Sequence, residues 1–362
     1  MESQSSLTQM LYAQLQDEAL AYSVAIFEQG VTGSPYINTS GGHEYVYWQI
    51  RQLDGTLRCA SLGRNSPETQ AIVAKLLERK KTATELIDAL KLTTRSFVGS
   101  GGMDIENSHF KILETLARGG LFSKGVVLVG SHAFAAIGNM LGVRWGDKLK
   151  TTDMDFARPS GIALAIPDAG GNINIPDTVK QDDPSFFEIP QLSRKQPSTS
   201  MMSSKSKVKI DFLTVQKNAI DTSPHYFSDL GIAADPLKYM DYLLGGESRQ
   251  GLIIGNYAIP VNLPDPARLA IHKLVIAQER TLSFETKSQK DIRQASELID
   301  ALSDLGHEQN IRLAISDLIA IGSNKPLENI KKSMNRMEQN TRSVLETEWK
   351  KALMGGLLVP TL

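Results

Sequence analysis

A buried strand that leads directly into a helix constrains the fold of this chain more than any other feature. Val126 to Val129 are four consecutive aliphatic residues, which is typical of a strand covered on both faces. Gly130-Ser131 follows at once, and His132 to Leu141 has the pattern of a helix. Such a turn presents backbone N–H groups and the positive end of a helix to an anion such as a phosphate. The same Gly-Ser pair also fits a purely structural turn.

Two carboxylates share one face of a second predicted strand, Thr152 to Ala157. Side chains alternate along a strand, so Asp153 and Asp155 project to one side while Met154 and Phe156 enter the core. Carboxylates about 7 Å apart repel each other unless a cation lies between them, and Mg²⁺ binds such carboxylates together with substrate phosphates. D-x-D is also a common surface pattern, but apolar neighbours favour a strand and a site.

A third carboxylate interrupts an apolar strand predicted from Val208 to Val215. Ile210 and Phe212 fall on one face of this strand, and Asp211 falls on the other. A carboxylate in such a position is unfavourable unless it is paired or bound to a metal. The chain therefore offers an ordered set of a Gly-Ser turn, a D-x-D strand and a later strand aspartate.

In this order, Gly130-Ser131, Asp153-x-Asp155 and Asp211 resemble the nucleotidyltransferase superfamily, which has the DNA polymerase β catalytic fold. The resemblance implies that the three aspartates hold two metal ions, Mg²⁺ or Mn²⁺. It also implies that Asp211 helps to deprotonate the attacking hydroxyl, and that Gly130 and Ser131 receive the β- and γ-phosphates of a nucleoside triphosphate such as ATP.

A narrower resemblance is to bacterial nucleotidyltransferases related to abortive-infection toxins. In that subgroup a downstream helical segment carries a Lys, then an Arg, then a Lys-Asp pair, which here are Lys273, Arg280 and Lys290-Asp291. The subgroup implies that Lys273 and Arg280 bind nucleotide, and that a cognate antitoxin-like partner exists. An aromatic hairpin also resembles a segment that precedes the catalytic domain in one such family; it runs from Tyr45-x-Tyr47 through Asp54-Gly55 to Leu62-Gly63.

Alternatives remain open for the cationic residues and for the activity. Asp265-Pro266 predicts a helix start, and Lys273 and Arg280 would share one face of that helix. Lys273 also fits an exposed surface lysine, and Asp291 fits a charge at a helix N-terminus. The implied enzyme transfers a nucleoside monophosphate to a tRNA or other RNA end, a protein side chain or a small molecule. The alternative is a catalytically silent nucleotide- or RNA-binding module on the same fold.

We predict an α/β fold in which a mixed sheet carries the three aspartates. Gly99 to Gly102 is the best linker candidate, and the pattern is helical from Asp265 onward. The predicted division is an N-terminal α+β region at 1–102, a catalytic domain at 103–235 and a helical domain at 236–362. The glycines and proline between Gly33 and Gly42 predict an open loop. The interval from Gly142 to Lys150 makes the Gly-Ser to D-x-D spacing longer than in many superfamily members.

Composition excludes several classes of protein. The chain has 39 basic and 40 acidic residues and a net charge of -1, which argues against a whole-molecule binder of polyanions. A basic stretch from Arg194 to Lys209 could follow a phosphate backbone, although such loops are usually only solvated. Cys59 is the one cysteine, so neither an internal disulfide nor a cysteine zinc site is expected. The sequence has no apolar run of membrane-spanning length and no signal-peptide pattern, so we expect a cytoplasmic protein without membrane contact.

Overall fold

The computed structural model describes residues 1–29, 33–51, 57–146, 151–159, 173–193, 195–280 and 285–355. Helices and a mixed sheet alternate along the chain, so the predicted α/β class is confirmed. The predicted turn at Asp54-Gly55 lies outside the described residues. None of the helices within those ranges is both long and apolar enough to cross a membrane.

Fourteen strands are present in the described residues. They are β1 Glu2–Ser3, β2 Ser34–Ser40, β3 His43–Arg51, β4 Leu57–Arg64, β5 Val127–Val129, β6 Val143–Arg144, β7 Asp153–Arg158, β8 Phe186–Glu188, β9 Ser200–Ser203, β10 Lys209–Val215, β11 His225–Phe227, β12 Ile232–Leu237, β13 Arg249–Ile254 and β14 Ala258–Leu263.

Eleven α-helices accompany these strands in the same ranges. They are α1 Ser6–Gln29, α2 Pro67–Gly99, α3 Asn107–Arg118, α4 Gly130–Met140, α5 Ile175–Asp182, α6 Met240–Leu244, α7 Pro266–Ile276, α8 Glu285–Asp304, α9 Glu308–Ala320, α10 Asn324–Met334 and α11 Gln339–Gly355.

The central sheet has seven strands, with β10 in its middle. β7 pairs with β10 in parallel, and β5 pairs antiparallel with the other edge of β7. On its second edge, β10 pairs first with β9, antiparallel, and then with β12, in parallel. β11 and β8 complete the sheet beyond β12 and β9. The two predicted strands that carry aspartates are therefore direct neighbours.

The N-terminal region forms a separate antiparallel sheet in the order β2-β3-β4. The predicted open loop between Gly33 and Gly42 is wrong, because Ser34–Ser40 is the edge strand β2. Gly41 and Gly42 both have positive φ angles, +58° and +76°, which suit a two-residue hairpin turn whose twist matches the flanking strands. These glycines therefore close a hairpin instead of opening a loop.

Helix α2 begins at Pro67, where Ser66-Pro67-Glu68 is a sequence typical of a helix start. Ser66 caps it, and the side chains of Ser66 and Thr69 satisfy each other's backbone N–H groups in a capping box, with Pro67 in the first turn. The helical patterns that run through Leu77 and again from Thr84 to Leu92 belong to this one helix of 33 residues. Its last turns bury Leu90 and Phe97 against α1 and the rest of the core.

One hydrophobic cluster connects the three segments of the predicted domain division. It includes Leu15 of α1, Phe97 of α2, Phe110 of α3, Phe156 of β7 and Leu298 of α8, all without solvent exposure. The three-part domain division itself stays a prediction. The helices after Asp265 pack on one another, and turns at Gly306 and Gly322 separate α8 from α9 and α9 from α10.

Candidate active site

Strand register places the three predicted aspartates side by side. Asp155 stands opposite Asp211 on the parallel strand β10 and opposite Val129 on the antiparallel strand β5. Neighbouring strands lie about 4.8 Å apart, so Asp155 is the centre of the cluster. Asp153 lies two residues before Asp155 on the same face, as the alternation of side chains predicts. On the opposite face, Met154 is fully buried, as expected.

Gly130 brings the turn before α4 into direct contact with this cluster. Its φ is +69°, a region that side chains rarely adopt, and a Cβ at this position would overlap Oδ2 of Asp155. Gly130 begins α4, and no side-chain hydrogen bond caps the helix start within the described part of the chain. The free N–H groups of that helix start and the carboxylates therefore adjoin each other.

Crowding perturbs the central carboxylate. Burial, followed by the charges of Asp211 and Asp153, raises the pKa of Asp155 to about 6, although Lys273 and Lys209 oppose the shift. A bound cation would relieve this repulsion. A positive charge that binds in the site therefore stabilises the ionised form of Asp155 most.

Asp211 already has two partners. Oδ1 of Asp211 accepts a hydrogen bond from Oγ of Ser200 at 2.5 Å and lies 2.8 Å from Nζ of Lys209. Lys209 stands opposite Asp153 in the register, on the same face as the carboxylates. Burial alone would lower the pKa of Lys209. The hydrogen bond to Asp211 and the charges of Asp211, Asp153 and Asp155 outweigh burial, so the pKa of Lys209 is raised.

The carboxylates of Asp153, Asp155 and Asp211 are chemically suited to a divalent metal, but their side chains are not arranged as a metal site. Three carboxylates on one face are ligands that Mg²⁺ and Mn²⁺ accept. Within the ranges that the structure describes, however, no group of three or more His, Cys, Asp or Glu side chains is arranged to hold a metal ion. The ammonium group of Lys209 lies against Asp211 instead, so metal binding requires this lysine side chain to move.

A cationic group from the C-terminal helices faces the Gly-Ser turn. Nζ of Lys290 donates a hydrogen bond to Oγ of Ser131 at 2.9 Å. Asp291 accepts from Nζ of Lys273 at 3.2 Å and from Nε of Arg280 at 2.7 Å. α8 thus brings Lys290 to the start of α4, and the neighbouring carboxylate of Asp291 bridges Lys273 of α7 and Arg280 of the turn that follows it.

A profile of the nucleotidyltransferase family matches residues 107–320, which is more than half of the chain. The chain belongs to the nucleotidyltransferase family. No curated protein and no solved structure gives a significant match. The matched range includes every predicted site residue, from Gly130 to Asp291. The N-terminal three-stranded sheet and the last two helices of this nucleotidyltransferase lie outside it.

The structure corrects the expected setting of the cationic residues. Lys273 is not an exposed surface lysine, because it is 5% exposed and paired with Asp291. Arg280 does not share a helix face with Lys273, because α7 ends at Ile276 and Arg280 follows it in a turn. Asp291 is not a helix N-terminal charge either, since it lies buried well inside α8.

Four residues of this site were not among those predicted from the sequence: Lys209, Ser200, Lys290 and His109. The basic residues around it group Lys209 with a basic loop, although the alternation Lys209-Ile210-Asp211 puts it on the carboxylate face. Of that basic stretch, Arg194 lies outside the described residues. The sequence indicates Lys290 only as the first member of the Lys290-Asp291 pair. Nothing in the sequence indicates Ser200 or His109, because their contacts join distant segments.

Two buried histidines support the start of α4. Nε2 of His132 lies 3.2 Å from Nδ1 of His109, and the two rings meet edge to face. Burial, together with the nearby His109 and Lys290, lowers the pKa of His132 to about 3. Burial also lowers the pKa of His109, against the charges of Glu106 and Asp153. Both rings are therefore neutral at physiological pH, and His132 packs in the core.

A cavity of about 900 Å³ opens beside Ser131 and His132. Its volume lies within the usual range of small-molecule sites. Three carboxylates line it, those of Glu2, Asp104 and Glu106, against one guanidinium, that of Arg144. Part of this wall is β6, which belongs to the lengthened interval before D-x-D and pairs with β1. This acidic lining makes the cavity unfavourable for a nucleic-acid backbone.

Proposed function

We propose that this nucleotidyltransferase is a divalent-metal-dependent enzyme that transfers a nucleoside monophosphate from a nucleoside triphosphate to an acceptor hydroxyl or phosphate. One observation carries the proposal: Asp153, Asp155 and Asp211 occupy one face of adjacent strands, in contact with the Gly-Ser turn. A silent nucleotide- or RNA-binding module would have no need of all three carboxylates.

In this proposal Asp153, Asp155 and Asp211 would hold Mg²⁺ or Mn²⁺, which when bound stabilises charge on the attacking and leaving oxygens. The acceptor oxygen forms a bond to the α-phosphorus, and the bond to the bridging oxygen breaks to release pyrophosphate. Asp211 takes the proton of the acceptor hydroxyl. Gly130 places backbone N–H groups against the triphosphate, as anion sites at helix starts do.

The cations of the site have separate roles. Ser131 and Lys290, which already bond to each other, would contact the β- and γ-phosphates. Lys273 and Arg280 would neutralise triphosphate charge without direct contact. Their ion pairs with Asp291 fix their positions. This division assigns direct contact to Lys290 and a mainly electrostatic role to Lys273.

The test is pyrophosphate release from each of the four nucleoside triphosphates with Mg²⁺ or Mn²⁺. Labelled triphosphate is then offered to tRNA, to cellular protein and to small molecules, and the label is located by RNA sequencing and mass spectrometry. We expect release that depends on metal and is lost in Asp153→Asn. Nucleotide binding without release, for every acceptor and metal, would favour the silent binding module.

We also propose a relationship to abortive-infection toxins with an antitoxin-like partner. It rests on the order of Lys273, Arg280 and Lys290-Asp291 along the chain, and it is supported by the bonds of Asp291 to Lys273 and Arg280 and of Lys290 to Ser131. The test is growth of a bacterial host after induced expression. We expect arrest with the wild type and normal growth with Asp153→Asn. Equal growth with both proteins would contradict the toxin relationship and leave the transferase proposal in place.

A further inference from the structure

Lys209 and Ser200 share one oxygen of the third carboxylate. Both contact Oδ1 of Asp211, Lys209 from the same strand and Ser200 from the neighbouring strand β9. They differ in charge and in freedom to move. Ser200 is 8% exposed and neutral, whereas the Lys209 side chain is 36% exposed and carries a positive charge on a flexible stem.

The position of Lys209 conflicts with a metal ion on the carboxylate face. Its ammonium group is 2.8 Å from Asp211, and its strand position is opposite Asp153. A divalent ion held by Asp211 and its neighbours would be within a few ångströms of this ammonium and would repel it. The ion pair and the metal are therefore alternatives. The partial exposure of Lys209 gives the side chain a way out to solvent.

Ser200 has the opposite relation to a metal ion. A hydroxyl that donates to one oxygen of a carboxylate fixes its orientation and leaves the second oxygen available. Partners of this kind usually strengthen metal binding by their ligands. Ser200 is also held by its own strand, since β9 pairs with β10 at Asp211.

We propose that Lys209 and Ser200 set the affinity of the carboxylate site for divalent metal in opposite directions. Lys209 is a counter-cation that occupies Asp211 in the absence of metal and leaves when metal binds. Ser200 is a positioning residue that keeps Asp211 turned for the metal. The inference rests on the proposed function, because it takes the three aspartates as metal ligands.

The experiment is a titration of the full chain with Mn²⁺ alone, in which the electron paramagnetic resonance signal of the free ion gives the Kd. We expect Lys209→Met to bind Mn²⁺ on the order of tenfold more tightly than the wild type, the change that loss of one charge-assisted competitor gives. Ser200→Ala should bind about 10- to 100-fold more weakly. Lys205→Met is the matched control, since Lys205 is an exposed lysine just before the same strand.

Thermal melting gives a second measurement. Without metal, Lys209→Met should melt below Lys205→Met, because three carboxylates then lack their nearest counter-charge. Added Mn²⁺ should raise the Tm of Lys209→Met by more than that of the wild type, as tighter binding to the folded state requires. If Lys209→Met does not fold, Lys209→Gln replaces it in both measurements.

The outcomes separate the inference from the function on which it rests. If Asp211→Asn weakens Mn²⁺ binding but Lys209→Met matches or falls below Lys205→Met in affinity, the displacement of Lys209 is overturned and the metal site stands. Unchanged affinity in Ser200→Ala overturns its positioning role. If neither the wild type nor Lys209→Met binds Mn²⁺ while both remain folded, the proposed metal-dependent function fails, and this inference fails with it.

Discussion

At the scale of single residues, three carboxylates that repel one another lie close together in the site. Asp155 lies between Asp153 and Asp211, with Gly130 against its carboxylate, and its pKa of about 6 records both burial and repulsion. Each of the three carboxylates has a different environment, because Asp211 has two hydrogen-bond partners and Asp155 is the most crowded. Their substitution should therefore separate catalysis from stability.

We expect Asp153→Asn, Asp155→Asn and Asp211→Asn each to abolish pyrophosphate release while the protein stays folded. Asp155→Asn should also raise the Tm of the metal-free protein at pH 7.5. The folded-state pKa of Asp155 is raised, so its ionisation above about pH 6 destabilises the folded state, and an amide removes that effect. Asp88→Asn, on the exposed surface of α2, is the control. Wild-type release by all three variants would refute the assignment.

The two lysines of the C-terminal helices should differ in what their loss changes. Lys290→Met removes a contact to Ser131 and should lower kcat/KM by about 10- to 150-fold with little change in Tm. Lys273→Ala should lower both kcat/KM and Tm, because it breaks a buried ion pair. The loss of stability is about 3 kcal/mol or less, since Arg280 still neutralises Asp291. The measurements are steady-state kinetics and thermal melting.

Lys332→Met, on an exposed face of α10, is the control for both lysine variants and should behave as the wild type. Unchanged kcat/KM in Lys290→Met would remove α8 from the triphosphate site. If Lys273→Ala melted as the wild type does, its buried ion pair would contribute nothing to stability.

At the scale of elements, the junction between β5 and α4 determines how phosphate and carboxylates approach each other. The strand ends at Val129, and the helix begins with Gly130 in a left-handed conformation. This geometry turns the helix start toward Asp155. A side chain at position 130 is therefore opposed by backbone conformation and by the carboxylate together.

Gly130→Ala and Gly142→Ala form a matched pair that tests the junction. Both glycines have nearly the same φ, +69° and +68°, so each substitution should lower stability by about 1–2 kcal/mol. Only Gly130→Ala also meets Asp155; a Cβ on Gly142 meets the flexible side chain of Gln9. We expect Gly130→Ala alone to lose pyrophosphate release, measured beside urea unfolding. Equal activity in the two variants would show that the contact with Asp155 is unimportant.

At the scale of the whole molecule, the core includes histidines that must remain neutral. His132 and His272 are 3% and 6% exposed, and burial lowers the pKa of each to about 3. Nε2 of His272 has no hydrogen-bond partner in the described part of the chain. These rings connect the stability of the whole fold to pH.

We expect the free energy of unfolding to fall as the pH drops below about 6.5. An unfolded histidine takes up a proton near that pH, whereas His272 stays neutral until about pH 3, so the unfolded state binds more protons in between. The slope reaches about 1.4 kcal/mol per pH unit for each such histidine. Asp155 opposes this loss of stability below about pH 6, because its carboxylate takes up a proton in the folded state before it does so in the unfolded state.

Urea unfolding at pH 7 and pH 5 measures this dependence. Between pH 7 and pH 5, His272→Gln should lose less free energy of unfolding than the wild type does, because the side chain no longer titrates. His43→Gln, on the exposed hairpin, is the control and should keep the wild-type loss. An identical loss in His272→Gln would mean that this buried ring is not a source of acid sensitivity.

The sequence by itself determined the local parts of the site. The shared face of Asp153 and Asp155, the strand-to-helix turn at Gly130-Ser131 and the cap at Ser66 all follow from the period of a strand or from a few neighbouring residues. It misread the segment at 34–40 because an edge strand containing Pro35 lacks a buried, alternating pattern. Such features depend on backbone geometry, which sequence determines over short distances.

Only the tertiary structure decided which of these parts meet. Lys290 reaches Ser131 across 159 residues of chain, and Ser200 reaches Asp211 from another strand. Lys209, which the sequence groups with a basic loop, is a partner of the carboxylates because β10 lies beside β7. Strand order and helix packing depend on how distant apolar faces cover one another, and no local pattern encodes that choice.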